Sequence, residues 1–224
     1  MITFAELYQT AILHKGGEEN VIALLPKVKT AKQLAQKEDA YYLSTMSLRI
    51  FRAGLKHSLV DAKWPEFERV FKGFDTHYCA MLSDDDMDEL MSNKALIRHL
   101  GKMKSVRENA QFVRRVSDER GGFGAWLAAW PVEDVVGLWL ALKKQGKQLG
   151  GNSGPYFLRM VGRDTFLLTS DVINLMMAHG VVSRAPSSQK DMREVERVFL
   201  EWQQQSGGRP LCEISRIASM AVAI

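Results

Sequence analysis

Cysteine is scarce in this chain, and its histidines are not grouped as metal ligands. Of 224 residues only Cys79 and Cys212 are cysteines, and neither belongs to a CxxC pair or a cysteine–histidine cluster. Two isolated thiols are typical of a reducing compartment, where such side chains are buried or half-buried. The five histidines also lack the spacing of zinc ligands. We therefore expect two free thiols, no metal and no cofactor.

Long apolar runs are lacking as well. No stretch approaches the roughly 20 apolar residues that span a bilayer. The first residues, Met1–Glu6, do not place a basic segment before an apolar one, so we expect no signal peptide. Apolar residues nevertheless make up 46% of the chain, which is enough for a full core. These features predict a cytoplasmic protein without a membrane partner.

Segments that alternate polar and apolar residues are scarce, and the strand candidates, such as Thr165–Leu168, are short. An all-α fold is therefore predicted. Pro65 suits the first turn of a helix, and Ser83, followed by three aspartates, suits a helix start. The predicted helices include Phe4–Lys15, Tyr41–Leu55, Glu66–Phe71, one from Ser83 to about Met91, Lys94–Val116, Val132–Lys144, Pro155–Val161 and Asp171–His179.

The positive charge is modest in total but informative in position. The net charge is +4 and the pI is about 9.0. Basic residues flank a glycine-rich turn, Leu149–Gly154, between two predicted helices. Glycine lets backbone N–H groups approach a phosphate, and the helix that Pro155 opens adds partial positive charge. An ordinary helix–turn–helix corner is the alternative. The candidate DNA-binding residues are Lys143, Lys147, Gly150, Gly151, Gly154 and Arg159.

Several sequence blocks between about Tyr41 and Val181 follow a known pattern. They are Phe51–Leu55 (FRAGL), Lys63–Phe67 (KWPEF), Gly73–Asp75 (GFD), Ile97–Met103 (IRHLGKM) with Asn109–Ala110, and Leu142–Gly146 (LKKQG). In these blocks the chain resembles the 3-methyladenine DNA glycosylase I family, within the helix-hairpin-helix DNA glycosylase superfamily. The resemblance implies an all-α, two-lobed fold in a single domain, residues 1–224. One lobe would contain the hairpin (about 41–171), and the other would join 1–40 to 172–224.

The chain departs from this family at its zinc and base-recognition residues. The family's N-terminal zinc ligands and aromatic residues, and its C-terminal zinc-ligand pair, have no counterpart in this sequence. Arg49 stands where the family has a glutamate that contacts the methylated base, and His57 replaces a tryptophan. The resemblance is therefore to a divergent branch without zinc.

The resemblance also implies a catalytic carboxylate. In the superfamily an aspartate after the hairpin stabilises positive charge on the sugar while the base departs, and Asp171 occupies that place. Asp171 also suits the N-cap of a helix, which is the alternative interpretation. Asp164 is a competitor with the pattern of a turn residue. Lys147 lies near the place of the nucleophile in bifunctional members, but we expect it to contact phosphate, which leaves a monofunctional enzyme.

A base pocket is expected near the first blocks. A flipped base needs a stacking surface and a few polar contacts. Arg49 would repel a cationic base unless a carboxylate such as Glu66 or Asp61 pairs with it. The alternative for the aromatic residues is that they fill the core. The expected pocket residues are Tyr41, Tyr42, Arg49, His57 and Trp64.

These features predict a DNA glycosylase of base excision repair. As a monomer and without a cofactor, it would flip a damaged, alkylated base from double-stranded DNA and hydrolyse its N-glycosidic bond. The alternative is a non-catalytic DNA-binding relative that keeps the fold and has lost base excision. Arg49 and the absent zinc residues favour the alternative, whereas the hairpin and Asp171 favour the enzyme.

Overall fold

The structure, a computed structural model, describes residues 2–222, and the regular secondary structure of these residues is helical. No strand occurs in these residues, so the predicted all-α fold is confirmed. None of their helices combines the length and the apolar composition needed to cross a membrane. A short 3₁₀-helix, Lys72–Phe74, follows α5. The α-helices are α1 (Phe4–Lys15), α2 (Glu18–Ala23), α3 (Ala31–Ala35), α4 (Asp39–Arg52), α5 (His57–Val70), α6 (Thr76–Ala80), α7 (Asp84–Ser92), α8 (Leu100–Arg120), α9 (Phe123–Ala129), α10 (Val135–Gln145), α11 (Ser153–Val161), α12 (Ser170–Ala178), α13 (Gln189–Gln205) and α14 (Leu211–Met220).

Side-chain caps begin several helices where the sequence predicts a start. The Ser83 hydroxyl accepts a hydrogen bond from the Asp86 amide, and the Asp86 carboxylate accepts one from the Ser83 amide. This reciprocal pair satisfies two backbone donors at the start of α7. Thr3 and Glu6 form the same arrangement at α1. The predicted bounds of α1 are confirmed at both ends.

The prediction that Pro65 opens a helix is wrong. The helix α5 begins at His57 and carries Pro65 in its interior. A proline there removes one backbone hydrogen bond. Val60, Trp64 and Phe67 bury one face of α5, and this tertiary packing stabilises the helix across the proline.

The predicted start of α8 near Lys94 is also wrong. The helix begins at Leu100, because the Nδ1 atom of His99 accepts a hydrogen bond from the Lys102 amide and caps the first turn. Leu96 is buried, but it lies in the segment before the helix.

Residues 2–222 divide into two compact units. The hairpin unit comprises Lys29–Trp130 and Trp139–Arg163. The terminal unit comprises the chain up to Val28, Pro131–Leu138, and the chain from Asp164 onward. The expected lobe of about 41–171 differs from the hairpin unit at both ends and at Pro131–Leu138, because contacts across distant parts of the sequence set the bounds of the unit.

Aromatic side chains build the core of the hairpin unit around α4 and α5. Phe51 comes from α4, and Trp64 and Phe67 come from α5, with the Trp64 and Phe67 rings stacked 5.0 Å apart. Phe71 and Phe74 extend the stack. Burying one such side chain contributes about 1.5–3 kcal/mol. The cluster therefore fixes the junction between α4 and α5, which forms part of the pocket described below.

A second aromatic group lies in the core of the terminal unit. The rings of Phe166 and Phe199 stack with centroids 4.5 Å apart, and Trp202 meets Phe199 edge-on at 5.3 Å. The Nε1 atom of Trp202 donates a hydrogen bond to the Ile2 carbonyl. This contact ties the start of the chain to α13.

Candidate functional site

A tight hairpin joins α10 to α11. It runs from Gly146 to Asn152, and it turns where Gln148 and Gly151 adopt left-handed φ angles of 58° and 55°. The Ser153 amide donates to the Gly150 carbonyl at 3.2 Å, and the Gly154 amide donates to the Leu149 carbonyl at 3.1 Å. The predicted helix–hairpin–helix order is therefore confirmed at these residues.

Two glycines allow the hairpin to pack closely on itself. A Cβ atom on Gly154 would lie 2.8 Å from the Leu149 carbonyl oxygen, which belongs to the backbone and cannot easily move. A Cβ atom on Gly146 would lie 2.5 Å from Leu149 Cδ1 and 3.1 Å from the Leu142 carbonyl oxygen. Gly154 is therefore required at its position, whereas a side chain at Gly146 would need the end of the Leu149 side chain to move.

Asn109, a buried residue of α8, braces the hairpin from below its backbone. Its Oδ1 atom accepts from the Lys147 amide at 2.7 Å, and its Nδ2 atom donates to the Lys147 carbonyl at 3.1 Å. The Gln148 side chain adds a bond to the Gly101 carbonyl at 2.7 Å. Sequence reasoning assigned Asn109 no role, although its place in the IRHLGKM…NA block was a signal.

The exposed side of the hairpin is positively charged. Lys143 and Lys147 are exposed, and Lys147 Nζ lies 3.2 Å from a carboxylate oxygen of Glu108. Within residues 2–222 the amides of Gly151 and Asn152 have no hydrogen-bond partner. Unpaired amides next to exposed ammonium groups can bind an anion such as a phosphate by donating hydrogen bonds to its oxygens.

Arg159 differs from the other predicted DNA-binding residues. It lies in the last turn of α11, is partly buried, and has its Nε atom shielded from solvent. A Cβ atom on Gly150 would make only ordinary contacts, at 3.4 Å or more, with the Lys143 side chain, and DNA binding by Gly150 stays a prediction. The charge available at the surface of the hairpin therefore comes from the lysines.

A pocket opens beside the junction of α4 and α5, and α11 closes its other side. Its volume is about 520 Å³, within the range of roughly 300–1,000 Å³ that is typical of small-molecule sites. Two of the predicted pocket residues, Arg49 and His57, line it together. The remaining lining residues are Arg52, Ala53, Gly54, Leu55, Tyr156 and Met160.

Arg49 is the central polar group of this pocket. Its guanidinium lies over the Tyr156 ring, 4.6 Å from the centroid. Its Nε atom is buried and has no hydrogen-bond partner among the residues that the structure describes. Burial lowers the pKa of Arg49, and the nearby charge of Arg52 lowers it further, although an arginine still stays protonated. Neither Glu66 nor Asp61 pairs with Arg49: Glu66 binds Arg69, and Asp61 binds Arg52.

The floor of the pocket depends on a buried lysine that sequence reasoning missed. Lys102 of α8 is only 7% exposed, and its ammonium donates to the Phe51 carbonyl at 3.1 Å and to the Ala53 carbonyl at 2.6 Å. These are carbonyls at the C-terminal end of α4, where a cation is favoured. Burial lowers the pKa of Lys102, and the charge of Arg49 adds to that effect.

The other predicted pocket residues do not line this pocket. Tyr42 is fully buried, packs against Phe123, and donates its hydroxyl to the Leu34 carbonyl at 2.6 Å. Trp64 belongs to the aromatic core. Tyr41 accepts a hydrogen bond from Lys29 Nζ and lies under that ammonium. The aromatic character of Tyr42 and Trp64 reflects packing, which a single sequence does not distinguish from stacking on a ligand.

Asp171 belongs to the terminal unit and is not a helix cap. The cap of α12 is Thr169, whose hydroxyl accepts from the Val172 amide, so the N-cap interpretation of Asp171 is wrong. Asp171 Oδ2 instead accepts a hydrogen bond from the Ser219 hydroxyl at 2.6 Å. Its Oδ1 atom has no partner within residues 2–222. Ser219 therefore orients the Asp171 carboxylate through one oxygen, and the other oxygen is not engaged in a structural hydrogen bond.

Asp164, the competing carboxylate, has a structural role. Its two oxygens accept from the amides of Leu211 and Cys212 at 2.9 and 2.8 Å. Since Pro210, at the N-cap position of α14, makes no side-chain cap hydrogen bond, Asp164 caps that helix from a distant part of the chain. Both of its oxygens are used, unlike those of Asp171.

The cysteines and the possible metal ligands are the remaining candidates for reactive groups. Cys79 and Cys212 are free and buried, as predicted. Burial raises the pKa of the Cys79 thiol to about 12, so the thiol stays protonated and unreactive. Within the described residues, no three histidine, cysteine or acidic side chains are grouped as metal ligands.

Comparisons with known proteins agree with this architecture. Residues 33–143 match a family model described as methyladenine glycosylase. A 3-methyladenine DNA glycosylase I from Staphylococcus aureus is 20% identical, with a TM-score of 0.51 over 56% of this chain and 77% of that chain. The 8-oxoguanine DNA glycosylase of Thermotoga maritima is 16% identical, with a TM-score of 0.54 over 96% of this chain and 95% of that chain. At such identities the likeness establishes the fold, and the predicted helix-hairpin-helix glycosylase-like fold is confirmed. No curated protein matches the chain.

Proposed function

We infer the reaction of this chain from the family to which it belongs, the methyladenine glycosylases. Its class of activity is that of a monofunctional DNA glycosylase of base excision repair, a hydrolase that acts on alkylated bases. The observation that carries the proposal is the family match over 33–143, which includes Arg49, the α4–α5 junction and Lys102. The α4–α5 side of the pocket therefore lies in the part of the chain that the family model matches, whereas Tyr156 and Met160 of α11 lie beyond it.

In the proposed reaction the hairpin binds the backbone of double-stranded DNA. The exposed Lys143 and Lys147 and the free amides of Gly151 and Asn152 support this role. Contacts of this kind position a protein on DNA without reading the sequence, which suits a search for damage. A monomeric enzyme and a cytoplasmic location belong to the same proposal.

The damaged base would leave the stack and enter the pocket beside Arg49. There the bond between C1′ and the base nitrogen breaks, and the bonding electron pair departs with the base. A water oxygen bonds to C1′ and releases a proton, and the base, if it leaves as an anion, takes up a proton. Asp171 would stabilise the positive charge that develops on the sugar, because its free Oδ1 atom remains available.

An excision assay on duplexes that each carry one damaged base tests this proposal. The unmodified protein should release an alkylated base and leave an abasic site. Asp171→Asn should lower the excision rate about 100- to 1,000-fold, because it removes charge needed in the transition state. Folding and DNA binding should persist, since the amide oxygen of asparagine can still accept from Ser219.

Asp85→Asn is the matched control, because Asp85 is an exposed aspartate of α7. Full excision by Asp171→Asn would contradict the catalytic role of that residue. Binding of DNA without excision of any base by the unmodified protein would favour a non-catalytic DNA-binding relative, the function that Arg49 at the glutamate position suggests.

A further inference from the structure

The Arg49 guanidinium has unused hydrogen-bonding capacity. It has five N–H donors, yet no oxygen accepts from it within residues 2–222, and its Nε atom is buried. Its one described partner is the ring of Tyr156, whose centroid lies 4.6 Å from the guanidinium carbon. Only Nε is closed off from solvent, so the terminal N–H groups are the donors that an acceptor in the pocket can reach. A guanidinium that is partly removed from water gains more from such an acceptor than an exposed one does.

Arg49 and Arg52 give the pocket positive charge, and none of its described lining residues is a carboxylate. Within residues 2–222 the only acid that pairs with either arginine is Asp61, which binds Arg52 at 2.7 Å. The Lys102 ammonium lies beneath the same junction, bound to the Ala53 carbonyl. Leu55 and Met160 supply apolar surface for a ring. This environment is unfavourable to a cation and favourable to an oxygen acceptor.

We propose that this pocket selects neutral damaged bases that present a carbonyl oxygen, and rejects alkylated bases that carry a positive charge. The selecting group is Arg49, which would donate two parallel hydrogen bonds to a carbonyl oxygen and an adjacent ring nitrogen, the geometry in which arginine binds the O6 and N7 atoms of a guanine. The inference rests on the proposed function of the same pocket.

The same contact stabilises the departure of a neutral base. When the C1′–N bond breaks, a neutral base leaves with the electron pair and carries negative charge until it is protonated. A guanidinium bound to its carbonyl oxygen opposes that charge. A cationic base leaves as a neutral molecule and gains nothing from Arg49.

Two guanine lesions that differ in the position of one methyl group provide the test. 1-Methylguanine is neutral and keeps O6 and N7 free, whereas 7-methylguanine is cationic in DNA and has its N7 blocked. Each lesion is placed opposite the same mismatched base, so that unpairing costs are similar. Binding is measured on duplexes whose lesion sugar carries a 2′-fluorine, which prevents cleavage, and excision is measured on the unmodified sugars.

The expected result is about tenfold or greater preference for 1-methylguanine in binding, with the same order in excision. Arg49→Gln should abolish the preference, and Arg49→Lys should retain rejection of 7-methylguanine but lose affinity for 1-methylguanine, because a lysine cannot donate in fork geometry. Arg69→Gln, at an exposed arginine paired with Glu66, is the control. Circular dichroism establishes that each variant is folded.

The outcomes separate the inference from the proposed function. Equal or tighter binding of the 7-methylguanine duplex overturns the inference, and so does a preference that survives Arg49→Gln. Arg49-dependent preference in binding without excision of either base supports the inference and contradicts the enzymatic function. Preferential excision of 7-methylguanine over 1-methylguanine supports the proposed glycosylase function and overturns the inference.

Discussion

The hairpin and the pocket both present cations, but the surroundings of those cations differ. On the hairpin, Lys147 is 54% exposed in its side chain and pairs with a carboxylate of Glu108. In the pocket, the Nε atom of Arg49 is buried without an acceptor. Exposed charge is screened by water and salt and attracts any phosphate. A partly buried guanidinium without an acceptor favours a partner that supplies one. The hairpin therefore suits binding to any DNA backbone, and the pocket suits selection among bases.

The supports of the two regions also differ. The hairpin is shaped by its own glycines and braced by two amide side chains, those of Asn109 and Gln148. The pocket depends on a buried ammonium, Lys102, that bonds to the end of α4. We therefore expect changes beneath the pocket to cost more stability than changes within the hairpin, and surface changes on the hairpin to alter DNA affinity alone.

The largest effect is expected from Lys102→Met. The substitution keeps the length of the side chain but leaves the buried Phe51 and Ala53 carbonyls without their donor. The free energy of unfolding should fall by about 2–3 kcal/mol, and base binding in the pocket should weaken. Denaturant titration measures the first effect. Lys94→Met, at an exposed lysine, should change neither, and equal stability of the two variants would contradict the role of Lys102.

A smaller effect is expected from Gly154→Ala. The new Cβ atom would lie 2.8 Å from the Leu149 carbonyl oxygen, so the backbone must shift. The free energy of unfolding should fall by about 1–3 kcal/mol, and binding to any duplex should weaken as the hairpin distorts.

Gly151→Asn is the matched hairpin control. No atom lies within 4 Å of a Cβ at Gly151, and asparagine tolerates the left-handed conformation found there. A Gly154→Ala variant with unchanged stability and DNA affinity would show that the close approach to Leu149 is not required.

The smallest effect on stability is expected from Lys147→Glu. Because Lys147 lies at the exposed edge of the hairpin, the free energy of unfolding should hardly change. Affinity for damaged and undamaged duplexes should fall alike, and the slope of log affinity against log salt should decrease by about 1. Lys190→Glu, an exposed lysine of α13, makes the same change in net charge and is the control.

Glu108→Gln sharpens this test. It releases Lys147 from its ion pair, and affinity for DNA should rise slightly, by an amount equivalent to less than about 1 kcal/mol. A change in sequence preference in either hairpin variant, or no change in affinity in Lys147→Glu, would contradict the phosphate contact.

Local patterns predicted much of the secondary structure. The Ser83 cap and the glycine-rich hairpin follow from short-range hydrogen bonding and steric limits, which a few neighbouring residues determine. Predictions failed where distant packing decides. Pro65 lies within α5 because Trp64 and Phe67 are buried in the aromatic core, and no neighbour in sequence reveals that burial.

The lining of the candidate pocket was predicted only in part for the same reason. Arg49 and His57 line one pocket, whereas Tyr42 and Trp64 are core residues, and base binding by any of them stays a prediction. Tyr156 was missed because it meets Arg49 only when α11 packs against α4.

The sequence by itself determined the helical class, the order helix–hairpin–helix, and the family resemblance, because periodicity, caps and glycines act over a few residues. Tertiary structure alone decided which polar groups are satisfied. Lys102 reaches the Ala53 carbonyl across 49 positions of sequence, and Asn109 reaches Lys147 across 38. Both carboxylate oxygens of Asp164 accept hydrogen bonds from backbone amides of α14, whereas Oδ1 of Asp171 has no partner within residues 2–222. Hydrogen bonding between distant segments depends on packed geometry, and that geometry left Arg49 unpaired in the pocket.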